Sequence, residues 1–289
     1  MTVFGAASSF VNMARFVVVI TLLAPSTLTA ANYEVKKVSD SVYAAIAKPG
    51  SKALSNAMIV ISGQEAILAG SHFVAEGVEE LADEIGKIAA KGVTRVVLTH
   101  HHPGFNYVDF DLPEKAEVIV TVQIFKSVRG ESREFRNSTL VFDESLTLNR
   151  GRTSIVLLNM GKGHSEGDMV VYLPREGVLF ASDLLFSDAM GYMGEASVFE
   201  WGETLERLEE LSAKVVIPGV GAVTDGSGIT RFKKFFRDFM SEVLRNLEKG
   251  NSISRTKKEF SLDAYKDMPG YSTFVEVNLE RAYNQLKSH

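Results

Sequence analysis

Short apolar segments that end at turn-forming residues run through the sequence, and this pattern restricts the possible folds more than any other feature. Between residues 42 and 68 several such segments follow one another, separated by Pro49-Gly50 and by Gly63. Segments of this length between turn signals predict consecutive antiparallel strands. After residue 68, apolar residues recur every three or four positions, and this spacing predicts one amphipathic helix that ends at Gly92. Its apolar positions are Val74, Val78, Leu81, Ile85 and Ile88.

The same order, strands and then a helix, is repeated further along the chain. A polar connection rich in Ser and Arg is predicted after residue 122, and a further helix is predicted around Leu205, Leu208 and Leu211. Two rounds of this kind predict a mixed α/β (α+β) fold in which two sheets pack face to face with helices outside, as a four-layer αββα sandwich. The strands of the second round are predicted at 95–99, 117–122, 139–148, 153–158, 169–173, 177–181 and 215–218.

A helical segment is predicted from residue 228 to residue 289. Its first helix carries a stripe of large apolar side chains with Lys233, Lys234 and Arg237 on the opposite face. Such a stripe either lies on a membrane surface or covers a sheet, and the acidic composition of the chain favours the second interpretation. The stripe consists of Phe232, Phe235, Phe236, Phe239, Met240, Val243, Leu244 and Leu247.

The first 31 residues have the pattern of a secretory signal peptide. Arg15 precedes a short apolar run at 16–24, Pro25 ends it, and the small residues at 29–31 provide a cleavage site. An uncleaved anchor or a buried strand is the alternative. We therefore expect a protein exported to the periplasm or the medium, with one domain at 32–289 and no membrane span after cleavage.

Composition excludes several classes of function. The chain has 289 residues, 45% of them hydrophobic, which is enough for a substantial core. The net charge of −5 opposes binding to nucleic acid or to an anionic membrane, so a small molecule is the expected partner. The chain has no cysteine, so any metal ion must be bound by imidazole and carboxylate groups.

Histidines are concentrated at the end of one predicted strand. His100, His101 and His102 directly follow the apolar residues 96–98. In an extended chain, side chains two residues apart project to the same side. His100 and His102 can therefore reach one ion, while His101 points away.

Two further polar residues lie in places where they need a partner. His164 is part of a glycine-rich turn at 161–168, which is not the setting of an apolar core residue. Asp183 ends a strand of apolar and small residues at 178–182. Burying a carboxylate there is costly unless a cation or hydrogen bonds compensate for it.

Four segments resemble, in order and spacing, the motifs of the metallo-β-lactamase superfamily, which includes glyoxalase II-like metallo-hydrolases. The similarity extends over residues 33–285, and it implies an αββα sandwich with metal in a cleft at the sheet edges. It also implies hydrolysis by water that zinc activates. The segments are 99–103 for the first histidine motif, 163–174 for the second histidine turn, 178–186 for the strand with the bridging carboxylate and 201–225 for the final ligand.

The sequence also departs from the family pattern. The Asp and His that continue the first motif are replaced by Gly104 and Phe105, and the final His ligand is replaced by Val220. A structural Asp expected at the end of the strand at 66–69 is replaced by Gly70. The resemblance therefore implies that the second metal site has lost its ligands.

The retained ligands are His100, His102 and His164, which match the family's first-metal triad, together with Asp183. We predict that they bind one Zn²⁺, with Fe²⁺ as an alternative, and that Asp183 completes the coordination or orients water. The predicted function is hydrolysis of an ester, thioester, lactone or amide.

Two other functions stay open. One is a catalytically inactive descendant whose cleft binds a small molecule or a partner, and the other is a mononuclear iron oxygenase. Tyr192, Met193, Phe199 and Trp201 either line the cleft or pack between a loop and a helix.

Overall fold

The computed structural model describes residues 32–71, 73–102, 115–131, 135–151 and 153–288, with the side chain of Arg150 excepted. The predicted signal peptide at 1–31 lies outside these ranges, so its prediction stays untested. Within the described ranges, no helix combines the length and the apolarity that crossing a bilayer requires.

The first sheet has seven strands, and their order in space is their order in the sequence. The first four strands pair antiparallel, whereas the last three join in parallel fashion. Helices α1 (Ala75–Gly86) and α2 (Val122–Gly130) make two of the crossovers that parallel pairing requires. The strands are β1 (Tyr33–Lys37), β2 (Val42–Ala47), β3 (Ala57–Ser62), β4 (Glu65–Gly70), β5 (Val93–Leu98), β6 (Glu117–Thr121) and β7 (Thr139–Phe142).

The second sheet has five strands in the order β12-β11-β10-β9-β8. These are β8 (Ser145–Arg150), β9 (Thr153–Gly161), β10 (Asp168–Leu173), β11 (Val178–Ser187) and β12 (Val215–Gly221). Helix α3 (Val198–Glu210) connects β11 to β12, which pair in parallel. The chain ends in α4 (Gly226–Glu248), α5 (Ile253–Glu259) and α6 (Tyr271–Lys287).

Two apolar clusters hold these layers together. One joins the two sheets and α1, and it includes Leu81, Val97 and Phe180. The other lies between the second sheet and the helices that follow it, and it includes Leu179 and Trp201. Since neighbours in a strand face opposite sides, Leu179 and Phe180 of β11 contribute to different clusters. The predicted αββα sandwich is confirmed.

Helix α4 covers the second sheet. Its residues Phe232, Phe235 and Phe239 are buried, and the helix contacts both β11 and β12. A helix whose apolar stripe is buried in the protein has no such stripe left for a membrane surface. Leu244, predicted on the same stripe, is exposed. The helix begins at Gly226, because the Asp225 side chain accepts a hydrogen bond from the Ser227 amide at 2.9 Å.

Three predictions of local structure are wrong. Helix α1 ends at Gly86 instead of Gly92, and Ile88 is exposed. Residues 122–130 form α2 instead of a polar connection, since Thr121 caps the helix and Ile124 and Val128 are buried. The strand predicted at 139–148 is two strands, β7 and β8, because the chain passes from the first sheet to the second between them.

Candidate metal centre

The first two histidines of the site follow the central strand β5 at one edge of the sandwich. The Thr99 amide donates to the Gly70 carbonyl at 3.0 Å, and the Thr99 carbonyl accepts from the Met169 amide at 2.8 Å. These bonds tie the segment to both sheets. The side chains of His100 and His102 are buried between them, at 1% and 0% exposure.

A tight turn between β9 and β10 carries His164. A Cβ atom on Gly163 would lie 2.7 Å from Leu184 Cδ2, so the turn packs closely against β11. Ser165 donates to the two oxygens of Asp168, from its amide at 3.0 Å and from its hydroxyl at 2.8 Å. Burial raises the pKa of the Asp168 carboxyl to about 7, although these hydrogen bonds act in the opposite direction.

An irregularity in β11 directs Asp183 toward the histidines. Ser182 has a φ of +49°, and the pairing of β11 with β12 shifts register at this residue. A bulge of this kind re-aims the following side chain. A Cβ atom on Gly219 would lie 2.0 Å from Asp183 Oδ1, so the carboxylate lies directly against the backbone of β12. Only glycine allows this approach.

Asn56 fixes the position of that part of β12, and sequence reasoning did not identify it. Its side-chain amide donates to the carbonyls of Pro218 at 2.8 Å and Gly221 at 2.9 Å, and its backbone amide donates to the Gly219 carbonyl at 2.7 Å. Asn56 directly precedes β3, so the first sheet fixes the part of the β12 backbone against which Asp183 packs.

The structure brings the four predicted ligands together. One nitrogen from each of His100, His102 and His164 lies within 4.8 Å of the other two. Oδ2 of Asp183 lies 3.8 Å from His100 Nε2 and 3.7 Å from His164 Nε2. We call this group, His100, His102, His164 and Asp183, the histidine cluster.

The donor set of the histidine cluster suits one transition-metal ion. Nε2 of His102 and Nε2 of His164 are 2.7 Å apart, at hydrogen-bonding distance. Tetrahedral zinc with bonds of about 2.0–2.1 Å separates two ligand nitrogens by about 3.3 Å. The two rings thus need to part by only about 0.6 Å, and a buried carboxylate adjoins them to balance the charge of a cation.

Comparison with known proteins finds similarity to one family. The profile of the metallo-beta-lactamase superfamily matches residues 110–220. The type 2 metallo-beta-lactamase of Elizabethkingia meningoseptica is 23% identical over 187 residues, 61% of this chain and 73% of the relative. The type 2 metallo-beta-lactamase of Bacteroides fragilis is 26% identical over 176 residues, which are 58% of this chain and 69% of the relative.

Solved structures agree in fold. DIM-1 metallo-beta-lactamase matches with a TM-score of 0.61 and 23% identity, over 72% of this chain and 98% of its own. VMB-1 matches with a TM-score of 0.61 and 26% identity over the same shares. In sequence profile and in fold, the chain is similar to the metallo-β-lactamase superfamily.

The structure describes two of the four positions at which the chain departs from the family pattern. Gly70 has no room for a side chain, because a Cβ atom would lie 2.7 Å from the ring of Phe73. Val220, at the position of the final ligand, packs against the apolar cluster between the second sheet and the helices. Gly104 and Phe105 lie outside the described residues.

Glu195 is a site residue that the motifs did not reveal. His102 Nδ1 donates to Glu195 Oε2 at 2.7 Å. Helix α6 holds the loop around Glu195, since Arg281 donates to the carbonyls of Glu195 at 3.2 Å and Ala196 at 2.7 Å. The sequence offers no signal for Glu195, because the loop and α6 approach each other only in the folded chain.

The aromatic side chains near the histidine cluster differ in their distance from it and in their exposure to solvent. The ring of Tyr192 lies 5.7 Å from that of His102, and the ring of Trp201 lies 5.5 Å from that of His164. Trp201 and Met193 are buried in packing, whereas Phe199 is on the surface. Of the four aromatic and apolar candidates, Tyr192 is thus the one that both adjoins the cluster and keeps partial exposure.

His101 points away from the cluster, as the strand geometry predicts. Its Nε2 atom lies 2.9 Å from Glu131 Oε1 at the end of α2. His101 therefore links the segment after β5 to the helix that precedes β7.

Proposed function

We propose that this protein is an exported hydrolase that binds one metal ion, zinc in the first instance, through His100, His102, His164 and Asp183. One observation carries the proposal. Three buried imidazoles have nitrogens within 4.8 Å of one another, and an oxygen of Asp183 lies within 3.8 Å of two of the rings. Substrates are expected among esters, thioesters, lactones and amides. Export is part of the proposal and rests on the N-terminal sequence pattern.

Hydrogen bonds set which ring nitrogens of the cluster carry a proton. Glu195 accepts the Nδ1 proton of His102, which directs the Nε2 lone pair of the neutral ring into the cluster. Without an ion, His164 donates its Nε2 proton to His102, and this proton would have to move to His164 Nδ1 for Nε2 to serve as a ligand.

Asp183 supplies the negative charge of the site. Its Oδ2 atom lies between His100 and His164, where it can offset a cation and accept a proton from an attacking water. A bound zinc ion supplies Lewis acidity and lowers the pKa of water to about 7. Burial of the histidines keeps bulk water away and strengthens these interactions.

Three replaced positions support one ion instead of two. Val220 offers no donor atom, and its side chain packs toward the helices. Gly104 and Phe105 likewise have no side-chain ligand atom. The histidine cluster alone retains a ligand set of the kind that holds a single catalytic zinc.

The test is turnover of a panel of ester, thioester, lactone and β-lactam substrates by the zinc-loaded protein. We expect hydrolysis of at least one class, with kcat/KM reduced about 10²-fold or more in His102→Ala and in His164→Ala. His101→Ala would not serve as a control, because His101 is buried, so the surface variant Phe199→Ala is used instead. Equal turnover by the wild type and both histidine variants would contradict the proposal.

A second candidate function is a metal-free binding protein. It is favoured by the 2.7 Å contact between His102 Nε2 and His164 Nε2, which pairs these two atoms without an ion. The ring of Phe73 fills the space at Gly70, where the family pattern has an Asp. This replacement of a polar group by packing also favours a metal-free binding protein. In that case the panel yields no turnover, and zinc leaves the melting temperature unchanged.

A further inference from the structure

The first residue of the described chain is bound to a carboxylate on α1. The backbone nitrogen of Asn32 donates to Glu80 Oε2 at 2.6 Å, and its side-chain nitrogen donates to the same atom at 3.2 Å. The Tyr33 amide donates to Glu80 Oε1 at 3.1 Å. Both oxygens of one half-buried carboxylate are therefore engaged by the start of the domain.

Other contacts keep Asn32 in this position. Its carbonyl accepts from the Lys48 amide at 2.9 Å, and its side-chain oxygen accepts from the Lys52 amide at 3.1 Å. Next to it, the ring of buried Tyr33 packs on Gly77 of α1, where a Cβ atom would lie 3.1 Å from Cε2. The backbone nitrogen of Asn32 is thus held against Glu80 from several sides.

We propose that Glu80 is the binding site for the α-ammonium group of Asn32, formed when the Ala31–Asn32 bond is cleaved during export. Water hydrolyses the bond with the help of a signal peptidase: its oxygen joins the Ala31 carbonyl carbon, which leaves as a carboxylate, and Asn32 keeps the nitrogen as an ammonium. An amide offers Glu80 one neutral N–H group, whereas an ammonium offers three charged ones. Charge-assisted hydrogen bonds are roughly twice as strong as neutral ones.

The inference rests on the export that is part of the proposed function, but it does not depend on the metal site. It assigns the processed bond from the contacts of Asn32, and it predicts that processing strengthens the attachment of β1 to α1.

The first experiment is export of the full chain in a bacterial host, followed by N-terminal sequencing and intact mass determination of the exported protein. We expect Asn32 as the first residue. A different first residue, or an uncut chain, would overturn the assignment.

The second experiment compares Glu80→Gln with Glu79→Gln, its exposed neighbour on α1. Both are measured in the processed protein and in the full chain made by cell-free synthesis without a signal peptidase. We expect Glu80→Gln to lower the melting temperature by about 2–4 °C in the processed protein and by less than half of that in the unprocessed chain. Glu79→Gln should have almost no effect in either. An equal loss from Glu80→Gln in both forms would mean that Glu80 binds an amide only, and would overturn the proposal.

Discussion

The histidine cluster and the position at Gly70 lie at the same edge of the sandwich, yet they have opposite character. In the cluster, three imidazoles and a carboxylate are buried together and face one another. At Gly70, directly next to the segment that carries the histidines, the ring of Phe73 fills the space. The comparison teaches that buried ligand-type groups are kept together in the cluster, whereas an aromatic ring fills the space at the neighbouring position.

The largest effect on the cluster side of this comparison is expected from Gly219→Ala. The added Cβ atom would lie 2.0 Å from Asp183 Oδ1 and 2.6 Å from the Asp183 amide nitrogen, so the carboxylate must move. We expect a loss of about 3 kcal/mol in the free energy of unfolding and weaker metal binding. Denaturant unfolding and zinc titration measure both. The matched control is Gly202→Ala in α3, where the Cβ atom meets nothing within 4 Å and stability should rise slightly.

On the other side of the comparison, Gly70→Asp tests whether packing excludes the polar group. The new side chain meets the ring of Phe73 at 2.7 Å, and we expect a loss of about 2 kcal/mol in unfolding free energy. The double variant Gly70→Asp with Phe73→Ala should remove part of the clash. If Gly70→Asp alone leaves the melting temperature unchanged, the contrast between the two positions is wrong.

Glu195→Gln sharpens the account of how the cluster is oriented. The amide side chain of this variant can still accept a hydrogen bond from His102 Nδ1, but it lacks the charge that makes the ring a better ligand. We expect zinc affinity to fall about 10-fold to 100-fold with little change in the stability of the metal-free protein. Competition with a chromophoric chelator measures the affinity. Unchanged affinity in Glu195→Gln would assign Glu195 to packing alone.

The last prediction concerns the pH dependence of Asp168, beside the turn that carries His164. Burial raises the pKa of Asp168 to about 7, above the value of about 3.9 in an unfolded chain. The folded state therefore binds the proton more tightly, and wild-type stability is lost as the pH rises from about 4 to about 7. Asp168→Asn does not titrate, so its stability relative to the wild type should increase from about pH 5 to about pH 8 in the presence of chelator. Thermal unfolding at both pH values tests this, with exposed Asp83→Asn as the control; a constant difference would contradict it.

The strands and the histidine cluster could be predicted from the sequence because their signals are local. Apolar segments between turn residues predicted most strands, and the alternation of side chains separated His101 from His100 and His102. The αββα arrangement followed from the order of strands and helices together with the motifs.

The remaining features depend on contacts that a sequence does not display. Helix α2 is short and carries Lys126, Ser127 and Arg129 between its apolar positions, so its composition is that of a polar connection. The passage between β7 and β8 separates two strands that read as one apolar segment. Glu195 and Asn56 act through partners about 90 and 160 residues away in the chain. Their roles arise from tertiary contacts and not from a motif.

The most direct test of the central claim is the metal content of the purified protein after expression with zinc and with iron. We predict about one equivalent of one ion in the wild type, a fall below a tenth of an equivalent in His102→Ala and in His164→Ala, and a lower melting temperature of the wild type after chelator treatment. Less than a tenth of an equivalent in the wild type under both conditions, with no change in melting temperature on adding chelator, would contradict the claim.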